Sequence, residues 1–510
     1  MTTRRFILIV LLCLLMPAVA LAQALPNLAT TRVRYNTLKA TTNPQGELKA
    51  QIDAIDRELV EATRLGRTGE VRRLFANGTA LLNGRQWTEL DDFDQSLVVR
   101  TDRVFADSTV PYQVRLEQIY APAISLTSSL TARATLRPLL SQPAGAADVR
   151  ELGRFDGVSR DLRESPFGIE LNLSGVADAP YMLDIEILDD ARSLGTASLR
   201  VAVQQGLEAR LRALDTAAAK GPASVGADLR YPMDFMRKVN RGLVEPGSFD
   251  LAKELAAAEA VAAAARGGAD PFPKRTGDFE RHYVLEEARE IMPYRVHVPK
   301  AYNGSKPFPL IVALHGLGAN EDSFLDGYSK RLPELAEQHG YLVAAPLGYR
   351  VDGFYGSGVA GSNDPVTRRT RELSEQDVMQ VLARMRRDYK IDEQRIYLMG
   401  HSMGAIGTWY LTAKYPDVWA AVAPFSGLGT PASVARMKHI PQFVVHGDAD
   451  PTVNVSGSRT MVAEMKKLGV DVTYIEVAGG NHINVVVPNL AAMMDFFDAK
   501  RKAVPTTQQR

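Results

Sequence analysis

A Gly-His-Ser-Met-Gly pattern at residues 400–404 is the segment of this 510-residue chain best suited to covalent chemistry. The apolar run Ile396–Met399 before it predicts a buried parallel strand, and the amphipathic run after it predicts a helix. A turn between two such elements is so sharp that side chains at Gly400 and Gly404 would collide with neighbouring backbone. The serine between them is then strained, with its hydroxyl exposed. Ser402 is therefore the candidate nucleophile.

A serine hydroxyl is a weak nucleophile at neutral pH, so this hypothesis requires a base and a group that orients the base. In sites of this type the acid, and then the histidine, follow the serine along the chain. Of the three downstream histidines, His439 and His446 adjoin a strand-like run, whereas His482 lies in a glycine-rich loop after the last such run. His482 is therefore the candidate base. For the acid we prefer Asp450, which lies further into the preceding loop, and keep Asp448 as the alternative.

A third loop, Leu314-His-Gly-Leu-Gly318, ends another strand-like run. The negative oxygen of a tetrahedral intermediate needs two fixed N–H donors. The backbone N–H groups of Leu317 and Met403 are the candidates for this oxyanion hole. His315 is interpreted as a structural hydrogen-bonding residue of this loop, and His401 as the variable position of the turn around Ser402.

Strands and helices alternate over residues 278–502, which predicts an α/β domain with a mostly parallel sheet and helices on both faces. Ligands of such sheets bind beyond the carboxyl ends of the strands, where the candidate serine, acid and histidine all fall. An antiparallel pair is predicted at His282–Glu286 and Tyr294–Val298. Six buried strands are predicted after it, at Pro309–Leu314, Tyr341–Ala345, Arg395–Met399, Trp419–Ala423, Pro441–Val445 and Val472–Val477. Helices are predicted at Ser323–Glu337, Ser374–Asp388, Met403–Lys414, Ser456–Leu468 and Pro488–Lys500.

The first half of the chain is predicted to hold four smaller regions. Residues 25–105 read as helical, because apolar residues recur at helical spacing. Residues 106–205 alternate between apolar and polar positions and predict a small antiparallel β-sandwich. A helical connector over 206–268 and a linker over 269–277 complete the predicted order. The strands of the sandwich are predicted at Val110–Ile119, Leu130–Leu136, Ile169–Leu173, Met182–Leu188 and Leu199–Val203.

The first 22 residues have the composition of a secretory signal peptide. Arg4 and Arg5 precede the apolar run Phe6–Met16, and small residues follow at Ala20 and Ala22. The apolar run is shorter than the roughly 20 residues of a membrane span. The sequence therefore predicts a secreted or periplasmic protein with no stable membrane anchor after cleavage.

Composition excludes several classes of chemistry. The single cysteine, Cys13, lies inside the signal peptide, so the mature chain has no disulfide and no thiol nucleophile. Removing the two arginines of that peptide changes 60 basic and 59 acidic residues to 58 and 59, a balance that argues against nucleic acid as a partner. A His-Glu-x-x-His zinc motif does not occur in the sequence. We expect no metal and no cofactor.

Residues from about 280 to 500 resemble the α/β-hydrolase superfamily. The closer likeness is to secreted bacterial esterases of the feruloyl-esterase and polyhydroxybutyrate-depolymerase type, and it extends to dienelactone-hydrolase-like and prolyl-oligopeptidase-like predicted peptidases. The resemblance implies a triad of Ser402, Asp450 and His482. It is carried by four motifs, at residues 314–318, 395–404, 414–427 and 446–453.

The predicted activity is cleavage of a small or polymer-linked carboxylic ester through an acyl-enzyme on Ser402. A serine peptidase of the prolyl-oligopeptidase-like type is the alternative, and a non-catalytic binding protein on a hydrolase fold is a further one. Tyr349 and Tyr355 are the candidate substrate-binding residues, because they lie in the long segment Leu347–Glu372. A mobile surface loop is the other interpretation of that segment.

Overall fold

The computed structural model describes residues 22–23, 28–124, 126, 129–139, 149–244, 249–359 and 364–502. These residues form two compact units. One contains the chain up to Ala213 together with Pro232–Ala257, and the other contains Leu214–Tyr231 together with the chain from Ala258 onward. Of the predicted signal peptide, only Ala22 is among the described residues, and residues 1–21 lie outside them. Among the helices that the described residues form, none combines the length and apolar character needed to cross a bilayer.

The first unit begins with a helical layer, as predicted. Apolar side chains on its second and third helices, among them Ile52, Ile55, Leu74 and Phe75, are buried in one cluster together with Tyr35. The helices and strands up to the middle of the chain are β1 Ala22–Gln23, α1 Leu28–Thr42, α2 Gly46–Arg64, α3 Thr68–Leu82, α4 Glu89–Ser96, β2 Leu97–Thr101, β3 Phe105–Asp107, β4 Tyr112–Gln118, β5 Leu130–Pro138, β6 Arg150–Val158, β7 Phe167–Leu171, β8 Ala179–Asp189 and β9 Arg192–Gln204.

These strands form two sheets. The four-stranded sheet has the order β1-β2-β4-β7, and the five-stranded sheet has the order β3-β9-β8-β5-β6. Neighbouring strands are antiparallel except β3 and β9. The five predicted strands are present as β4, β5, β7, β8 and β9, but β1, β2, β3 and β6 were not predicted. Strand β6 was missed because it lies at the edge of its sheet, exposes most of its residues and has a polar sequence. Strand β2 was missed because it follows α4 with no turn between them.

Three helices follow the sheets, α5 Leu207–Lys220, α6 Gly226–Asn240 and α7 Leu251–Ala264. The sequence predicted a helical connector over this segment. The boundaries between the two units fall within all three helices, so that Leu214–Tyr231 belongs to the second unit.

The second unit contains an eight-stranded sheet. Its strand order is β10-β11-β13-β12-β14-β15-β16-β17, in which the first two pairs are antiparallel and the remaining pairs are parallel. The elements are β10 Gly277–Leu285, β11 Glu290–Val298, β12 Phe308–Leu314, α8 Arg331–His339, β13 Leu342–Pro346, α9 Pro365–Asp388, β14 Ile391–His401, α10 Met403–Lys414, β15 Ala421–Phe425, β16 Gln442–Gly447, α11 Ser456–Lys467, β17 Val472–Val477 and α12 Val486–Asp498. The predicted α/β fold class is confirmed.

Both faces of this sheet are apolar. Alternate residues of the central strands, such as Ile311, Val343 and Met399, pack into one cluster with side chains of α8 and α12. The residues between them point to the opposite face, because side chains alternate along a strand, and they are equally buried. Burial on both faces explains why the sequence shows continuous apolar runs here.

Two helices begin at positions other than those predicted. Helix α8 begins at Arg331 rather than at residue 323, because residues 328–330 have positive φ angles. Helix α9 begins nine residues earlier than predicted, at Pro365, where the Asp364 side chain accepts hydrogen bonds of 3.0 Å from two backbone amides. Its first turns are so polar that they lack apolar periodicity, and the predicted long loop is correspondingly shorter.

A buried ion cluster attaches the segment Leu214–Tyr231 to the sheet within the second unit. The Asp228 carboxylate accepts a hydrogen bond of 2.8 Å from the His282 backbone amide and lies 3.3 Å from the His282 ring, whose other nitrogen is 2.8 Å from Glu280. The Tyr231 ring stacks on the imidazole at 3.9 Å. Burial acts to lower the pKa of His282, but the two carboxylates outweigh it and raise that pKa to about 9.

This cluster predicts a pH-dependent stability. A histidine whose pKa is higher in the folded than in the unfolded state stabilises the fold fully below the unfolded value of about 6.5, and this contribution is lost as the pH rises through 9. We expect Asp228→Asn to lower the free energy of unfolding by on the order of 2 kcal/mol more at pH 6.5 than at pH 10. Urea unfolding at both pH values measures this difference. Asp215→Asn, in an exposed pair of the same segment, is the matched control, and an equal pH dependence in both variants contradicts the prediction.

Candidate active site

The candidate nucleophile occupies a strained turn. Strand β14 ends at His401, helix α10 begins at Met403, and Ser402 between them has φ 57° and ψ −118°. A residue other than glycine rarely adopts such angles unless its surroundings enforce them. Here the Ser402 N–H donates a 2.9 Å hydrogen bond to the carbonyl of Phe425, and its carbonyl accepts one of 3.1 Å from Ile406. Backbone contacts on both sides therefore hold the serine at the end of the strand.

The glycines on either side of the serine leave room for this turn. A Cβ atom on Gly404 would overlap the carbonyl group of Leu314, and one on Gly400 would overlap the backbone carbonyl of Gly404. The steric role predicted for the two glycines is confirmed. Only glycine allows α10 to approach β12 and β14 this closely.

The close approach predicts that Gly404→Ala is strongly destabilising. Because the obstructing atoms are backbone, the added methyl group can be accommodated only by moving β12 or α10. We expect a loss of unfolding free energy on the order of 3 kcal/mol, measured by urea denaturation. Gly358→Ala is the control, because a Cβ atom there meets nothing within 4 Å, and its cost should stay below about 0.5 kcal/mol. Equal stability of the two variants would contradict the packing described.

The candidate base and acid are in direct contact. His482 Nδ1 lies 2.7 Å from Asp450 Oδ2, and the Asp450 side chain is fully buried while that of His482 is 12% exposed. The alternative acid, Asp448, is exposed, and its carboxylate accepts a 2.7 Å hydrogen bond from the backbone amide of Gly479. The carboxylate next to His482 is therefore the preferred one, and Asp448 stabilises the loop that carries the histidine.

Two glycines bring the acid loop and the histidine loop together. Gly447 ends β16 and Gly480 lies in the loop after β17, and a Cβ atom on Gly447 would overlap the Gly480 carbonyl. The same carbonyl accepts a 3.0 Å hydrogen bond from the Ala449 amide. This contact aligns two loops that are about 30 residues apart in the sequence.

The Asp450 carboxylate is held by four donors. Oδ1 accepts hydrogen bonds from the backbone amides of Thr452 at 2.8 Å and Val453 at 2.9 Å, and Oδ2 is shared by His482 and His446, which lies 3.1 Å away. Burial acts to raise the pKa of Asp450, but the hydrogen bonds from His482 and the two amides outweigh it, so that this pKa lies below its ordinary value. The carboxylate is ionised at neutral pH.

His446 is a site residue that the sequence did not assign. Its Nε2 faces two acceptors, Asp450 Oδ2 and the Val453 carbonyl at 2.9 Å, so Nε2 carries a proton, while Nδ1 lies 2.7 Å from the Ser458 hydroxyl. Burial lowers the pKa of His446, which favours the neutral ring. It thus orients the acid rather than serving as a base. The third downstream histidine, His439, is exposed.

The predicted oxyanion loop packs against the nucleophile turn. A Cβ atom on Gly316 would lie 3.4 Å from Ser402 Cβ, and the neighbouring Leu317 side chain is 59% exposed. The His315 ring is buried with Nδ1 2.8 Å from the Gly316 carbonyl and Nε2 2.7 Å from the Leu347 carbonyl. These contacts agree with the structural role predicted for His315. The donor role of the Leu317 and Met403 amides stays a prediction.

The two tyrosines predicted to bind substrate have structural contacts. The Tyr355 side chain is fully buried and its hydroxyl donates a 3.2 Å hydrogen bond to the His315 carbonyl, so it supports the predicted oxyanion loop and does not present a surface to substrate. Tyr349 is partly buried, donates a 3.1 Å hydrogen bond to Glu290 and packs under the Arg350 guanidinium at 3.9 Å from the ring centre. Aromatic composition alone did not reveal that these rings face inward.

A groove lies beside the histidine loop. It has a volume of about 500 Å³, and its wall includes Ile483 and Asn484, the two residues that follow His482. The Ile483 side chain is 62% exposed. The remaining lining is uncharged and comes from Ser323, Gly327, Tyr328, Ser329 and Val487.

Comparison with known proteins finds a family that this region resembles. The Esterase family model matches residues 286–467, which include Ser402 and Asp450. This stretch is therefore similar to members of the Esterase family. The resemblance to α/β-hydrolase esterases is thereby confirmed for the part of the chain that carries the motifs.

Three curated relatives match parts of the chain. The chain is 30% identical over 159 residues to the bifunctional acetylxylan esterase/xylanase XynS20E of Neocallimastix patriciarum (31% of this chain, 22% of the relative). It is 32% identical over 122 residues to feruloyl esterase B of Neurospora crassa (23% and 39%) and 31% identical over 134 residues to poly(3-hydroxyalkanoate) depolymerase C of Paucimonas lemoignei (26% and 30%). The chain thus spans well under half the length of each.

Proposed function

We propose that the chain is a serine hydrolase that cleaves carboxylic esters. The observation that carries this proposal is the 2.7 Å hydrogen bond between His482 and the buried Asp450, at the sheet edge where Ser402 occupies its strained turn. The Esterase family match supports the ester rather than the peptide alternative.

The first half of the reaction is acylation. Asp450 accepts a hydrogen bond from the Nδ1–H group of His482, which leaves Nε2 as the nitrogen that takes a proton from the Ser402 hydroxyl as the oxygen attacks the ester carbonyl. The tetrahedral oxygen would accept hydrogen bonds from the amides of Leu317 and Met403, and losing one such donor costs about 3 kcal/mol of barrier. The imidazolium then gives its proton to the alcohol oxygen, which leaves, and an acyl-enzyme remains on the serine.

The second half repeats these steps with water. His482 takes a proton from water, the resulting nucleophile attacks the acyl carbon, and the proton returns to the serine oxygen as the acid product leaves. The imidazolium in both halves is stabilised by the ionised Asp450, whose lowered pKa keeps it negative at neutral pH. The chemistry of each step is supplied by these three side chains and two amides.

The proposed substrate is an ester on a small molecule or on a polymer. The relatives are named for acetylxylan, feruloyl esters and poly(3-hydroxyalkanoate), all of which contain carboxylic ester bonds. The uncharged groove next to Ile483 is suited to a neutral alcohol or acyl part. Because a signal peptide is predicted for residues 1–22, we also propose that the protein is exported from the cytoplasm. Export suits an enzyme that acts on polymers outside the cell.

Covalent labelling tests the nucleophile. We expect a fluorophosphonate probe to label the wild-type protein and not Ser402→Ala, and we expect p-nitrophenyl acetate and methyl ferulate to be hydrolysed far faster than peptide anilides. Ser433→Ala, which removes a hydroxyl that donates to the Thr430 carbonyl and not to a site residue, is the control that should still be labelled. Labelling of Ser402→Ala, or turnover of anilides above that of esters, would contradict the proposal.

The acid is tested by a pair of substitutions in one loop. Asp450→Asn should lower kcat for p-nitrophenyl acetate by about 10³- to 10⁴-fold, because the amide favours the wrong imidazole tautomer. Asp448→Asn should reduce kcat by less than about 10-fold, because that carboxylate only stabilises the loop. Steady-state kinetics on both variants measures the difference. Equal turnover by Asp450→Asn and the wild type would rule out the assigned acid.

A further inference from the structure

Residues at the ends of strands β14 and β15, close to the nucleophile turn, hold the main chain of His482. Its carbonyl oxygen accepts a hydrogen bond from His401 Nε2 at 2.7 Å and one from the Ser426 hydroxyl at 3.1 Å. His401 is the last residue of β14 and Ser426 directly follows β15, the neighbouring strand. The residue before the candidate nucleophile therefore contacts the backbone of the candidate base.

The contacts of His401 fix its tautomer. A carbonyl oxygen only accepts hydrogen bonds, so Nε2 must carry the proton, and Nδ1 is then the acceptor for the Tyr328 hydroxyl at 2.8 Å. The ring is almost fully buried, and burial lowers the pKa of His401 to about 4. A neutral ring with one donor and one acceptor satisfies both partners.

Tyr328 is itself held in an unusual backbone conformation. Tyr328, Ser329 and Lys330 have φ angles of 47°, 56° and 54°, three consecutive left-handed residues without a glycine. Each such residue costs on the order of 1 kcal/mol, so the surrounding contacts must maintain the conformation. The Tyr328 ring stacks on Phe324 at 4.8 Å and its hydroxyl ends at His401. The strained segment therefore includes Tyr328, the residue that begins the hydrogen-bond chain from Tyr328 through His401 to the His482 carbonyl.

We propose that Tyr328 and His401 are positioning residues, which hold the main chain of His482 so that its imidazole stays aligned between Asp450 and Ser402. The proposal rests on the function proposed above. The two residues before Asn481 in the histidine loop are glycines, which restrict the backbone little, and the Asp450 contact fixes only the side chain of His482. A displacement of the base by about 1 Å can cost 100-fold in rate.

Three substitutions of His401 separate positioning from packing. Glutamine places an amide donor close to the position of Nε2, asparagine places one near Nδ1 and does not reach the His482 carbonyl, and leucine fills the space without any donor. We expect His401→Leu and His401→Asn to lower kcat for p-nitrophenyl acetate by about 10- to 100-fold, with KM changed less than about 2-fold. His401→Gln should recover kcat to within about 5-fold of the wild type.

The tyrosine is tested against a matched tyrosine. Tyr328→Phe should lower kcat by about 5-fold, because the lost hydroxyl frees the His401 ring to rotate. Tyr341→Phe removes a hydroxyl that donates a 2.8 Å hydrogen bond to Asp498 away from the site, and it should leave kcat unchanged. Thermal unfolding of all variants identifies any loss of kcat that reflects misfolding.

A readout independent of turnover separates this proposal from the function on which it rests. In protein labelled with ¹⁵N-histidine, the Nδ1 proton of His482 hydrogen-bonded to Asp450 should be observable by NMR in the wild type and in His401→Gln, and broadened in His401→Leu. A sharp resonance in all three, or equal kcat in folded His401→Leu and wild type, overturns the positioning role. A wild-type protein that shows the resonance but neither labels nor hydrolyses esters contradicts the proposed function instead.

Discussion

The contact of Gly404 with the Leu314 carbonyl is the constraint on which the site depends. It lets helix α10 start directly at the end of β14, and so it leaves Ser402 in a conformation that few side chains tolerate. The conformational strain at Ser402 is compensated by the packing of the buried sheet, whose central strands are apolar on both faces. A rigid parallel sheet is what makes a strained residue at its edge sustainable.

Four adjacent strands then supply the rest of the site from their carboxyl ends. Strand β14 leads to His401 and Ser402, β15 to Ser426, β16 to Asp450, and β17 to the loop of His482. Because parallel neighbours end at the same edge, groups from distant parts of the sequence are brought within hydrogen-bonding distance. The loops then lock to each other through the Gly447–Gly480 contact and through the His482 carbonyl.

The sequence predicted the parts of this arrangement that follow from order and local pattern. The strand–turn–helix around Ser402, the alternating strands and helices, and the choice of His482 all rest on spacing along the chain. The supporting residues His401, His446 and Tyr328 could not be assigned, because their partners lie on other loops and no local pattern encodes such pairs. The prediction that Tyr355 binds substrate was wrong for the same reason, because the burial of this residue under the predicted oxyanion loop depends on tertiary packing.

The element boundaries show the same division. Helix α9 begins in a polar stretch that is capped by Asp364 and has no apolar periodicity, and the edge strand β6 is too polar to be recognised. The division of the helices α5, α6 and α7 between two units is a property of tertiary contacts and not of composition. Local sequence patterns thus predicted whether a segment forms a helix or a strand. The unit to which each segment belongs could be determined only from the structure.

The most direct test of the central claim is to trap the acyl-enzyme during turnover. Protein mixed with p-nitrophenyl acetate and quenched in acid within the first turnovers can be digested and analysed by mass spectrometry. An acyl-enzyme on Ser402 predicts one acetyl group on the peptide that contains this residue, absent from protein quenched before mixing. Ester turnover with that peptide unmodified, or with the acetyl group on another residue, would contradict it.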